Sequence, residues 1–63
     1  MRLNPIALRG MWEYVSGQDI ADETLIAIER RLHDKHPELS EADYKYNLAA
    51  RLSGYAQMMK SQH

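Results

Sequence analysis

Sixty-three residues supply one small domain and no more, which excludes a multidomain enzyme. Hydrophobic residues make up 44% of the chain and charged ones 27%, the balance of a folded protein rather than of a disordered one. Eight Lys and Arg against nine Asp and Glu leave a formal charge of −1, too little to draw in a polyanion from a distance, and the lack of cysteine excludes disulfides, thiol catalysis and Cys-based zinc sites.

The first element opens at Asn4-Pro5. The Asn side chain can accept from an orphan N–H of the first turn, and proline fits the first helical position, where its missing donor costs nothing. Leu8, Met11, Trp12 and Val15 recur at i, i+3, i+4 and i+7, so one face of a helix over residues 5–16 is apolar. Gly17 can turn left-handed just beyond it and stop it. Gly10 inside the segment costs about 1 kcal/mol relative to alanine, which makes this the weakest of the helices.

A second helix spans residues 20–36. Asp19 and Asp22 both offer an N-cap, and Asp22 and Glu23 suit the positive end of the helix dipole. Ala21, Leu25, Ile28 and Leu32 form the expected buried stripe, while Arg30, Arg31 and Lys35 gather toward the C-terminal end. Pro37 stops the helix by disfavouring helical geometry at His36.

Ser40, with Asp43 three residues on and Leu39 set to pack on Tyr44, marks the start of a third helix that runs over residues 41–60 without a proline. Tyr44, Leu48, Leu52, Tyr55 and Met59 make its main apolar stripe. Beside that stripe Ala42, Ala49 and Ala56 recur every seven residues, with Leu52 and Met59 at the alternating heptad positions. Small residues let two helix axes approach closely, so Ala42, Ala49, Leu52, Ala56 and Met59 are expected to form a dimer interface. The expected fold is therefore all-α: a single three-helix domain over residues 1–63, with a long C-terminal helix, assembled into a helical-bundle homodimer. Self-association would also supply what a core this small lacks, since ordering costs about 1.5 kcal/mol per residue.

Chemistry is sparse. No serine sits in a strand-turn-helix elbow, there is no glycine-rich phosphate cradle, and the acids follow helix starts and exposed faces, so no catalytic residues and no cofactor are expected. His33 and His36, with Glu29 a turn earlier, have a metal-like spacing but lack further ligands and read as solvent-facing histidines near a helix end. No apolar run approaches the ~18 residues needed to cross a bilayer, and no secretory leader is evident, so a cytoplasmic protein without membrane contact is expected.

Binding is the class of function that remains. Ile6 and Tyr14 lie opposite the first apolar stripe, Ile26 stands off the second, and Tyr46 faces away from Leu48 and Leu52; together they are the expected contact surface for another protein. The competing expectation is a nucleic-acid-associated regulator using Arg30, Arg31 and Lys35. The acids Glu38, Glu41 and Asp43 at the start of the third helix oppose direct groove recognition.

The strings Thr24-Leu25, Glu38-Leu39-Ser40-Glu41 and Ala49-Ala50-Arg51-Leu52 resemble segments of the Hha/YmoA group of small helical nucleoid-protein modulators. That group's Asp-His-Arg element after the paired alanines is absent, Arg51 following directly, and the spacing between the strings is shifted. The resemblance implies a regulatory, noncatalytic role exerted through a DNA-organising protein, and it assigns no site residues.

Overall fold

In the computed structural model, which describes residues 3–62, three α-helices follow one another: α1 (Pro5–Val15), α2 (Asp22–Lys35) and α3 (Glu41–Ser61). Every pair of helices is in contact, and the 36 Å long axis of the molecule matches the ~31 Å that the twenty-one residues of α3 span. It is a compact all-α domain with a longer C-terminal helix.

The ends of α1 and α3 follow from local chemistry. Asn4 accepts from the Ala7 amide at 2.7 Å, and Ser40 accepts from the Asp43 amide at 3.3 Å, each satisfying one of the donors that a helix start leaves orphaned. Gly17 takes φ +73°, and its amide and that of Ser16 both return to the Trp12 carbonyl, closing α1. His36, held out of the helical region ahead of Pro37, ends α2.

The start of α2 departs from expectation. Neither Asp19 nor Asp22 caps it; Ala21 is the N-cap residue and offers no side-chain acceptor. Asp22 is instead the first helical residue and pairs with Arg9 of α1, whose guanidinium also donates to the Ile20 carbonyl at 3.0 Å. A bond between helices has taken the carboxylate that local capping would have used, and it fixes where the α1–α2 connection lands.

One core joins the helices: Leu8 and Trp12 from α1, Leu25 and Leu32 from α2, and Tyr44, Leu48, Leu52 and Ala56 from α3. The Trp12 ring meets Tyr55 edge-on with centroids 6.3 Å apart, and its indole N–H donates to the Gln18 carbonyl at 2.7 Å. Gln18 closes the same corner by donating its side-chain amide to Ser16 Oγ at 2.7 Å and to the Ala56 carbonyl at 3.3 Å. The 16–21 connection is thereby tied to both α1 and α3.

The four buried residues of α3 stand at a strict four-residue step, along one ridge line of the helix. The seven-residue series expected at a dimer interface is divided by that ridge between core and surface. Leu52 and Ala56 lie inside the chain's own core, Met59 is half-buried against it, Ala49 is half-buried and only Ala42 is exposed. Two short helices packed on α3 need its i±4 ridge, and that ridge takes Leu52 and Ala56 of the expected seam.

Candidate protein-binding surface

The expected contact residues divide into two sets. Ile6, Tyr14 and Tyr46 are 85%, 94% and 77% exposed, outside the core as their helical positions predict. Ile26 is not: it is half-buried, packs against the core and lines a cavity with Leu3, Pro5, Leu8 and Glu29. Its place off the stripe points it into the α1–α2 seam rather than into water.

Glu29 stands out in the sequence only as an acid one turn ahead of His33. It is 2% exposed, and the Leu3 amide donates to its Oε2 at 2.6 Å, so the segment ahead of α1 is held to the middle of α2 by a buried carboxylate. Four residues after Leu25 and three before Leu32, it lies on the buried face, whereas Ala21 is exposed and Ile28 only half-buried. That spacing was the available signal. Glu29→Ala would leave the Leu3 amide without this acceptor and is expected to cost about 1–3 kcal/mol in urea unfolding. Glu29→Gln, which keeps a carbonyl oxygen, should cost less, and amide exchange at Leu3 should accelerate in the alanine variant while the centre of α3 stays protected.

The histidines have separate surroundings. The His33 ring stands edge-on to Tyr44, with centroids 6.5 Å apart, and its Nδ1 is buried without a hydrogen-bond partner among the described residues. His36 Nδ1 faces Glu38 across 3.6 Å. No group of three or more potential ligands converges on one metal position among the described residues.

Arg30, Arg31 and Lys35 are all exposed, and none is in an ion pair among the described residues; the pairs there involve Arg9, Lys45 and His36. Arg31 also borders a shallow groove between α2 and α3, together with Ile28, Arg51, Gly54, Tyr55 and Met58. Among the described residues no helix is long and apolar enough to cross a membrane. Comparison with protein-family models, with curated proteins and with solved structures gives no match in any of the three.

Proposed function

We propose that this chain is a noncatalytic, cytoplasmic helical module that binds another protein and modulates it through the outer surfaces of its helices. The observation that carries the reading is the exposure of Ile6, Tyr14 and Tyr46 in a domain whose core has few large side chains to spare. Tyrosine offers a large, stiff contact area at low entropic cost, which is why it concentrates among the residues that dominate protein interfaces. Met58, 46% exposed, adds an adaptable side chain on α3.

The test is affinity capture from the native cell with the wild-type chain and with an Ile6→Ser/Tyr14→Ser/Tyr46→Ser variant. Substitutions at sites this exposed should change stability by no more than about 0.5 kcal/mol each. Partner recovery should fall several-fold; equal recovery of the same partners would overturn the assignment of this surface.

A second reading is favoured by one observation, the exposure of Arg30, Arg31 and Lys35 with no ion pair among the described residues. It makes the chain a nucleic-acid-associated regulator. Three cations would release few counterions, so this reading requires duplex binding that survives physiological salt, and it fails if binding vanishes there.

A further inference from the structure

We propose that the groove between α2 and α3 is a docking site for an acidic, amphipathic helix of a partner protein. This rests on the protein-binding reading above and adds to it a place and a partner chemistry. Its apolar lining is Ile28 of α2 with Tyr55 and Met58 of α3, and Gly54 leaves a notch where a Cβ would meet nothing within 4 Å. Arg31 and Arg51 stand on its border, Lys35 follows Arg31 by one turn along α2, and among the described residues no acid lines it. None of these three cations has an ion pair among the described residues, so the local charge is positive on a chain whose formal total is −1.

Size and chemistry select the occupant. The groove, about 280 Å³, is shallow and open to solvent rather than enclosing, and it suits one or two side chains inserted from a helix laid along it. The strip of Ile, Tyr and Met calls for an apolar anchor, and the flanking guanidiniums call for carboxylates one helical turn away from that anchor. Nucleic acid fits less well. It would leave the apolar strip unused, and the Tyr55 ring is already engaged edge-on with Trp12 rather than free to stack on a base.

The experiment titrates the labelled full chain with three probes and follows backbone amide shifts by NMR. The first is a helical peptide of about 14 residues, ~21 Å long, with leucines at i, i+3, i+4 and i+7 and glutamates beside them. The second carries lysine in place of each glutamate, and the third is a short DNA duplex. The expected result is saturable shifts from the acidic peptide centred on Ile28, Arg31, Arg51, Gly54 and Met58, with the lysine peptide binding at least roughly ten-fold more weakly. Arg31→Glu/Arg51→Glu should reverse that preference. Gly54→Leu should abolish binding while raising the unfolding midpoint, since leucine is the better helix former and its Cβ enters open space. That opposition separates a blocked groove from a damaged fold.

Shifts centred instead on Ile6, Tyr14 and Tyr46 would overturn the groove and leave the protein-binding reading standing. So would equal binding of the two peptides, or shifts in the groove that depend on protein concentration alone and thus report a second copy. Duplex binding at the groove with no binding of either peptide would overturn both.

Discussion

Trp12→Ala is expected to leave the chain largely unfolded at room temperature. Stability of about 0.05–0.15 kcal/mol per residue puts a domain of this length at roughly 3–9 kcal/mol in all. Truncating a fully buried tryptophan removes about 3–5 kcal/mol of that, because transfer free energy is lost and the cavity left behind is too large for the neighbours to close. Trp12 has no exposed surface, packs edge-on to Tyr55 and donates to the Gln18 carbonyl, so its loss also frees a backbone acceptor that holds the 16–21 connection in place. Trp12→Phe isolates that last contribution: most of the packing survives and the indole bond does not, for an expected cost of about 1–2 kcal/mol. Far-ultraviolet circular dichroism against urea measures both. A Trp12→Ala chain that kept a cooperative transition within 1 kcal/mol of the wild type would show that α1 contributes little to the fold, contrary to the core described here.

Much of this architecture is written in short-range signals, because capping and proline chemistry act within a few residues. Asn4, Gly17, Pro37 and Ser40 do at their helix ends what their side chains and backbone freedom predict, and no helix limit lies more than two residues from its expected place. The misreadings share one cause. Asp22, Glu29 and Ala56 each carry a local role in the sequence, as a cap, an acid one turn before His33 and a small seam residue, and each is claimed by a partner distant in the chain. A helical wheel ranks faces by hydrophobicity. It cannot see that the amide of Leu3 will arrive opposite Glu29, or that the Gln18 side chain will reach the carbonyl of Ala56.

The candidate surface was legible to a different degree. The exposure of Ile6, Tyr14 and Tyr46 follows from helical phase alone, once the buried stripe of the same helix is known. Ile26 was misplaced, since the flank of a stripe is either solvent or a neighbouring helix, and only the α1–α2 packing decides which. The α2–α3 groove was invisible for the same reason: Ile28 and Arg31 lie far in sequence from Arg51, Gly54 and Met58, and they become one site only when the two helices pack side by side.

Leu52→Ala separates the observed core from the dimer seam expected of α3. Leu52 is fully buried within a single chain, so its truncation should lower stability by about 2–5 kcal/mol as any core leucine does. The loss should be the same at every protein concentration, because both sides of the contact belong to one molecule. Were Leu52 buried instead between two copies, association would couple to folding, and the unfolding midpoint of the wild type would climb with concentration by mass action. Thermal unfolding of wild type and variant across a hundred-fold concentration range, paired with sedimentation equilibrium, reads both quantities. The expected outcome is a constant midpoint for each protein, a large gap between them and an unchanged mass. Ala42→Leu completes the comparison: this alanine is the exposed member of the seven-residue series, so enlarging it should alter stability by less than about 0.5 kcal/mol. A wild-type midpoint that rose with concentration, together with a Leu52→Ala variant that fell to monomer mass while staying folded, would return Leu52 to an interface between chains and leave α1 and α2 packed on some other ridge of α3.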